Sequence, residues 1–318
     1  METSTIHIEG LSKRFGNNQV LRDVHLEIPA GCVYALLGEN GSGKTTLIRI
    51  LMGYVKPNAG TVKVLGLSPQ REPFALRRRV GYVSDFPVLY DWMTVKQIAW
   101  FCSAFYSANY SESFGRWATQ FDLPQETRIR YLSKGMRAKT ALALVLASDP
   151  DLLVFDEPTS GLDPLVRKEF LRSMVDLAAQ GKTVLLSSHQ VQEVERVADH
   201  VAILHAGKIA LNGELDQLKD TVALLRFSLH DPLAIPPASI LNLQSFHCEI
   251  QGRSIQLAVR QLSAEAFEQI KNETGITDVQ WIRPSLEELF ILSTRESQAP
   301  PWQASPNKKI PGGNLLRA

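Results

Sequence analysis

Hydrophobic residues in the first two thirds of the chain form short uninterrupted runs separated by stretches with helical spacing. The runs at residues 33–37, 152–155 and 184–186 contain no charged side chain, which is typical of parallel strands buried on both faces. Other apolar patterns predict further strands at 6–8, 20–28 and 80–83. Helical spacing predicts helices at 94–108, 111–121 and 165–179. The predicted fold class is therefore α/β, with a mostly helical insert between strands.

The pattern changes near residue 222, where apolar Leu225, Phe227 and Leu229 alternate with polar neighbours. Such alternation is typical of strands that face a core on one side only. Further strands are predicted near Phe246 and at 255–259, and helices at 264–274 and after Pro284. The predicted parts are a domain at 1–220 with a helical subdomain at about 92–148, a small α+β domain at 221–296, and a disordered tail at 297–318.

Composition narrows the class of protein. The chain has 318 residues, 44% of them hydrophobic, and its 34 basic and 33 acidic residues nearly cancel. This balance argues against nucleic acid as a partner recognised through overall charge. Three widely spaced cysteines favour reduced thiols over disulfides or a metal site. Because no apolar run approaches the ~20 residues that span a bilayer, we expect the chain to be soluble unless another chain holds it at a membrane.

A glycine-rich loop follows the first buried run and precedes a helical pattern. Its glycines can adopt positive φ, so that backbone N–H groups turn towards phosphate oxygens at the positive end of the next helix. Lys44 is placed to reach the β- and γ-phosphates, and Thr45 to offer a hydroxyl to Mg²⁺. The loop therefore predicts a nucleotide site. Its candidate residues are Gly38, Asn40, Gly41, Ser42, Gly43, Lys44, Thr45 and Thr46.

Two acids and a histidine follow the other buried runs. Asp156 and Glu157 come directly after the run at 152–155, and His189 follows the run at 184–186. Ligands collect at the carboxyl ends of parallel strands. Asp156 is therefore predicted to lie in the first or second shell of Mg²⁺, Glu157 to polarise the attacking water, and His189 to bond the γ-phosphate and that water. The pair of acids favours hydrolysis over phosphoryl transfer to a substrate.

From about residue 6 to 218 the sequence resembles the ATP-binding subunits of ABC transporters. Residues 132–136, Leu-Ser-Lys-Gly-Met, occupy the position of the family's signature segment, and residues 160–163 the loop that joins the two sites of a dimer. The resemblance implies that Phe15 stacks on adenine. It also implies that Ser133 and Gly135 face the γ-phosphate of ATP bound by the other subunit, and that ATP and Mg²⁺ are the cofactors.

Two regions depart from the family pattern. The signature normally reads Leu-Ser-Gly-Gly-Gln, and here Lys134 replaces its first glycine and Met136 its glutamine. Lys134 either adds positive charge at the nucleotide or points to solvent. Asp85 stands where the family has glutamine; its carboxylate can still coordinate Mg²⁺, but it adds negative charge beside the phosphates.

The resemblance also implies partners. Two ATPase subunits, either two copies of this chain or one copy with a close relative, are expected to close head to tail on ATP. A membrane-spanning subunit on a separate chain is expected to hold them at the cytoplasmic face of the cell membrane. The C-terminal extension makes the chain look like bacterial exporter ATPases of the drug and antibiotic type, although the cargo is not readable from the sequence. The resemblance implies that the helical insert at 94–146 and the loop around Asp85 form the face that receives the membrane-spanning subunit. The aromatic residues around this face are more readily explained as core residues than as contacts; they are Phe86, Tyr90, Trp92 and Trp100.

Two other functions remain open. A soluble ABC-type ATPase acting on ribosomes or DNA is the first, but such relatives usually carry two ATPase domains or a long coiled-coil insertion, and this sequence shows neither. The second is a nucleotide-dependent switch that barely hydrolyses ATP, which Asp85 and Lys134 favour. For the extension, a packing or dimer-stabilising module is preferred over a ligand sensor, because it carries no catalytic cluster.

Overall fold

The fold is known from a computed structural model that describes residues 4–85, 87–231 and 236–294. The chain divides into two compact units between Asn212 and Gly213. Phe86 and the predicted tail at 297–318 lie outside the described residues. No helix among the described residues has the length and apolarity that a membrane crossing requires.

The described residues up to Glu214, two residues past the boundary of the N-terminal unit, contain nine strands and seven α-helices. The strands are β1 (Ile6–Phe15), β2 (Asn18–Ile28), β3 (Val33–Leu37), β4 (Ala59–Val64), β5 (Val80–Val83), β6 (Leu152–Asp156), β7 (Thr183–Ser188), β8 (His200–His205) and β9 (Lys208–Glu214). The helices are α1 (Lys44–Leu51), α2 (Pro73–Arg79), α3 (Val95–Ser103), α4 (Tyr110–Gln120), α5 (Lys134–Leu146), α6 (Pro164–Ala179) and α7 (Val191–Val194).

A six-stranded sheet in the order β5-β6-β7-β3-β8-β9 forms the centre of this unit. The strands β5, β6, β7, β3 and β8 run parallel. Every residue of β3, β6 and β7 is buried, because helices cover both faces of such a sheet. A smaller antiparallel sheet in the order β2-β1-β4 packs into the same core. The carboxyl ends of β3, β6 and β7 therefore meet at one edge.

The predicted helical insert is built from α3, α4 and α5. Thr94 begins α3 with a capping box, in which its hydroxyl accepts from the Gln97 N–H and the Gln97 side chain accepts from the Thr94 N–H. Each helix buries one apolar face in a shared cluster that includes Val95, Tyr110 and Phe114. This part of the unit thus has a core of its own.

The second unit begins with α8 (Leu215–Thr221) and ends with α11 (Leu286–Thr294). Between them lie β10 (Val222–Leu229), α9 (Ala238–Leu241), β11 (Ser245–Gln251), β12 (Ser254–Arg260), α10 (Ala264–Lys271) and β13 (Ile276–Ile282). The sheet order is β11-β12-β10-β13, and all three pairs are antiparallel. This β-α-β-β-α-β order is that of a ferredoxin-like unit. Its core contains Leu225, Phe227 and Leu229, the three apolar residues whose alternation predicted the strand.

All three cysteines are free, as expected of reduced thiols. Cys32 and Cys248 are buried. Burial raises the pKa of the Cys32 thiol to about 11, with a smaller contribution from Asp199, and burial alone raises the pKa of Cys248 to about 11. The thiols of these two residues therefore stay protonated near neutral pH.

Gly81 in β5 provides a test of the packing between the sheet and α5. A Cβ at this position would lie 2.9 Å from Leu153 Cδ2 and 3.1 Å from Pro150 Cγ, and closer still to Val145 Cγ1. Because these atoms belong to a packed core, we expect Gly81→Ala to lower the free energy of unfolding by about 1–3 kcal/mol in denaturant titrations. The control is Gly115→Ala in α4, where a Cβ meets nothing within 4 Å; it should stabilise by about 0.5–1 kcal/mol. Equal effects of the two variants would contradict the packing described here.

Candidate phosphate and magnesium site

The phosphate loop, residues 38–43, connects β3 to α1. Gly41 and Gly43 have φ of 82° and 113°, which L-residues with a side chain rarely adopt. A Cβ on Gly43 would lie 2.8 Å from Leu21 Cδ2, and one on Gly38 would lie 2.5 Å from Leu204 O. The loop backbone therefore packs against its neighbours at a distance that only glycine allows. This is the backbone cradle that the sequence predicts.

Lys44 begins α1 and is only 6% exposed. Its ammonium donates to the carbonyl oxygens of Gly38 at 2.7 Å and Glu39 at 3.3 Å, and it lies 3.2 Å from Glu157 Oε1. The side chain thus folds back over its own loop. The positive charge is held at the place where a phosphate would meet the loop.

The Ser42 hydroxyl is a polar group of the loop that could bind an anion. The Ser42 side chain is buried, and its hydroxyl oxygen has no hydrogen-bond partner among the described residues. A buried hydroxyl without a partner is costly. A phosphate oxygen would satisfy it. Asn40 is exposed at the rim of the loop, and Thr46 is half-buried in the first turn of α1.

Asp156 ends β6 and is 4% exposed. Its Oδ1 accepts hydrogen bonds from two hydroxyls, Thr45 Oγ1 at 3.3 Å and Ser187 Oγ at 2.7 Å. Burial raises the pKa of Asp156, and the two hydroxyls oppose that rise because they stabilise the carboxylate. Thr45 and Asp156, both predicted as magnesium ligands, are therefore in contact.

Glu157 leaves the sheet with a φ of 53°, a left-handed conformation uncommon for a residue with a side chain. One carboxylate oxygen faces Lys44 and the other lies 2.7 Å from His189 Nδ1. The structure therefore brings together Lys44, Glu157 and His189, the three residues for which a catalytic role is predicted. They come from the ends of three neighbouring parallel strands, as the general rule for such sheets requires.

A cleft of about 430 Å³ opens beside this cluster. Its lining includes Thr45, Asp85, Asp156 and Glu157 together with aromatic Tyr82. Asp85 thus shares a cleft with the other two predicted magnesium ligands. A slightly larger cleft of about 460 Å³ lies between α4 and the start of β6 and contains none of the predicted site residues.

The signature segment contributes no side chain to the lining of the cleft within its own chain. Ser133 caps α5, and its hydroxyl accepts from the Met136 N–H at 3.2 Å, while Gly135 is buried. Lys134 is exposed but does not simply extend into solvent, because its ammonium occupies the space that a Cβ on Gly161 would take, in the loop at 160–163. Lys134 therefore connects the signature segment to that loop.

Exposed aromatic side chains correct one expectation. Tyr90, Trp92 and Trp100 are 50%, 64% and 73% exposed, so the preference for a core role was wrong for these three residues. Phe15 is likewise exposed, at 52%, and the Lys13 ammonium lies 4.8 Å from its ring centroid. All four rings are accessible for contact with a ligand or partner.

Two residues at this edge, Ser187 and Arg167, were not identified from the sequence. Ser187 contacts both acids, although the sequence marks it only as a neighbour of His189. Arg167 in α6 donates to Gln190 Oε1 at 2.8 Å, Glu193 Oε1 at 2.5 Å and the Leu162 carbonyl oxygen at 3.0 Å. Arg167 thereby ties the loop at 160–163 to the segment after His189. Neither contact leaves a signal in residue spacing, since each joins residues that are distant in sequence.

Known proteins resemble this chain both in part and over nearly its whole length. Residues 21–160 match the family model described as ABC transporter. The daunorubicin resistance ATP-binding protein DrrA3 of Streptomyces coeruleorubidus is 29% identical over 94% of this chain and 98% of its own length. The Nod factor export ATP-binding protein I of Burkholderia lata is 30% identical over 94% and 100%. The ABC transporter ATP-binding protein NatA of Bacillus subtilis is 34% identical over 68% and 92%.

Solved structures align with a similar share of the chain as NatA does. An ATP-binding subunit of an ABC transporter aligns with a TM-score of 0.63 and 30% identity, over 69% of this chain and 92% of that chain. The protein cbiO1 of Clostridium perfringens, described as part of the ABC transporter complex cbiONQ, aligns with a TM-score of 0.62 and 25% identity over 68% and 91%.

Proposed function

This chain belongs to the family of ABC transporter ATP-binding proteins, and we propose that it powers an exporter whose membrane-spanning subunit is a separate polypeptide. The resemblance and the α/β nucleotide-binding fold predicted from the sequence are confirmed, and the chain is an ATP-hydrolysing transporter subunit. The convergence of Lys44, Glu157 and His189 beside the phosphate loop is the observation that carries the proposed catalytic roles.

We assign the phosphates to the loop. The backbone N–H groups of the loop, the Ser42 hydroxyl and the Lys44 ammonium would bind the β- and γ-phosphates. Glu157 would accept a proton from the attacking water, and His189, in contact with Glu157, would hold the γ-phosphate and that water. The loop residues Gly38, Asn40, Gly41, Gly43 and Thr46 would shape the site rather than react.

Mg²⁺ suits the oxygen donors that line the cleft. The Thr45 hydroxyl and the Asp156 carboxylate are in contact, and the Asp85 carboxylate lines the same cleft. Hard oxygen ligands of this kind are the ones that Mg²⁺ prefers. When bound, Mg²⁺ neutralises phosphate charge.

The proposed working unit is a dimer. Phe15 would stack on adenine, and Ser133 and Gly135 of one subunit would complete the phosphate site of the other, because the signature segment does not line the cleft of its own chain. The pair is either two copies of this chain or one copy with a related ATPase subunit.

Export is favoured over import by the extent of the alignments. The relatives named for Nod factor export and daunorubicin resistance align over 94% of this chain, a length that takes in the second unit. Exposed Tyr90, Trp92 and Trp100 offer an aromatic surface to a membrane-spanning partner at the cytoplasmic face of the membrane. The second unit would then act as an accessory domain of the ATPase.

Co-purification tests this function. The tagged full-length chain, extracted from native membranes in mild detergent, should recover an integral membrane protein in stoichiometric amount. ATP hydrolysis by the pair should exceed that of the chain alone. Recovery of ribosomes or DNA without an integral membrane protein would instead support the rival function as a soluble ATPase.

Asp85→Ala tests the proposed magnesium ligand. Truncation to alanine removes the side-chain oxygen donor altogether, so we expect the Mg²⁺ concentration for half-maximal hydrolysis to rise about 10-fold or more. The measurement is ATP hydrolysis at fixed ATP over a range of Mg²⁺. Asp91→Ala is the matched control, since Asp91 is ion-paired with Arg137 at 2.9 Å and does not line the cleft. An unchanged Mg²⁺ requirement in Asp85→Ala would remove Asp85 from the metal site.

A further inference from the structure

Ser187 occupies the position next to both acids of the site. It lies in β7, directly opposite Asp156 of β6 in the parallel register. Its side chain is completely buried, at 0% exposure. A buried hydroxyl must find partners for both its donor and its acceptor capacity. The partners it finds here are functional residues.

The Ser187 hydroxyl donates one hydrogen bond and accepts another. It donates to Asp156 Oδ1 at 2.7 Å and accepts from the Glu157 N–H at 3.1 Å. The same N–H also lies 3.2 Å from the Ser187 carbonyl oxygen. One side chain therefore holds the carboxylate of one acid and the backbone of the next.

The bond to the Glu157 N–H coincides with an uncommon backbone conformation. Glu157 has a φ of 53°, and left-handed conformations of residues other than glycine persist only where surrounding contacts hold them. This conformation turns the Glu157 carboxylate towards Lys44 and His189. The direction in which Glu157 leaves the sheet thus depends on what its N–H contacts.

We propose that Ser187 is a positioning residue for hydrolysis, whose hydroxyl fixes the exit of Glu157 from the sheet and the orientation of the Asp156 carboxylate. The inference rests on the proposed role of Glu157 as the base. Ser187 does not itself contact a reacting atom. Its loss lets the base move away from the water it activates, and this affects the rate of the chemical step more than the binding of nucleotide.

The test compares Ser187→Ala with Thr183→Val in full-length protein. Thr183 is in the same strand, is 2% exposed, and its hydroxyl accepts from the Gly31 N–H at 3.0 Å, at the end of the strand away from the acids. Both variants remove a buried hydroxyl that accepts from a backbone N–H. Any general effect of this loss on β7 should therefore appear in both.

We expect Ser187→Ala to lower kcat about 10- to 100-fold with little change in KM, the size expected for a hydrogen bond to a charged group. Thr183→Val should leave kcat near the wild-type value. The affinity of Ser187→Ala for a fluorescent ATP analogue without Mg²⁺, a readout independent of turnover, should match the wild type. Ser187→Thr, which keeps a hydroxyl on the same Cβ, should restore kcat.

Three results would overturn the proposal: an unchanged kcat in Ser187→Ala, an equal loss in Thr183→Val, or a loss confined to KM. Glu157→Gln separates this outcome from a failure of the proposed function. If Glu157→Gln hydrolyses ATP at the wild-type rate, the base itself is misassigned. If Glu157→Gln is inactive and Ser187→Ala is fully active, only the role of Ser187 is wrong.

Discussion

Glu157→Gln is expected to slow ATP hydrolysis about 10²- to 10⁴-fold, the contribution usual for a general base. The amide has nearly the shape of the carboxylate but does not accept a proton from water. Because the phosphate loop is untouched, ATP binding should persist, and a dimer closed on ATP should accumulate. Steady-state hydrolysis measures the first effect, and size-exclusion chromatography with ATP measures the second.

The control for this variant is Glu169→Gln. Glu169 is also an ion-paired acid, 2.8 Å from Lys139, but it lies in α6 and its side chain is 51% exposed. Its loss should leave turnover near the wild-type rate, since surface ion pairs contribute little. Turnover near the wild-type rate in Glu157→Gln would show that another group activates the water.

Lys44→Ala is expected to weaken ATP binding about 100-fold, because hydrogen bonds to charged groups are worth about 1.5–3 kcal/mol each. The ammonium contacts both the loop carbonyl oxygens and the Glu157 carboxylate. Its removal also leaves the Glu157 carboxylate without its cation. Isothermal titration with ATP measures the affinity directly.

Lys96→Ala is the matched control for Lys44→Ala. Lys96 forms an ion pair of similar length, 3.3 Å, with Glu126, but on the surface. ATP affinity should not change in this variant. Similar affinities in wild type and Lys44→Ala would show that the loop backbone binds phosphate without the lysine, and the assignment of Lys44 to the γ-phosphate would then be wrong.

Uninterrupted apolar runs were the most reliable guide to the fold. The structure places β3 at Val33–Leu37 and β5 at Val80–Val83, the bounds that the sequence predicts, because a strand covered on both faces has no polar positions to interrupt it. Strands β4, β8, β9 and β13 were missed. Three of them, β4, β9 and β13, have half-exposed or exposed residues at most positions, so local sequence carries little signal for them and tertiary pairing decides. Strand β8 was missed although its apolar run at 201–204 is buried and carries the same signal as the runs that were recognised.

The candidate site was predictable where a sequence motif places a particular residue type at a fixed position along the chain. The loop glycines, Lys44 and the two acids were found in this way. Ser187 was not, because its proposed role arises from the register between β6 and β7, which brings together residues 31 positions apart in the sequence. The exposure of Trp92 and Trp100 was also mispredicted, since aromatic residues are usually buried and sequence alone does not show which ones face a partner.

The burial of Lys44 has a consequence for how tightly a nucleotide is held. Because this ammonium is already surrounded by carbonyl and carboxylate oxygens, its dehydration accompanies folding and not ligand capture. A phosphate bound as proposed would exchange places with the Glu157 carboxylate instead of stripping water from the lysine. The affinity for nucleotide would then be the difference between two competing anions, one of them built into the chain, and the same exchange would free the Glu157 carboxylate as the phosphate arrives.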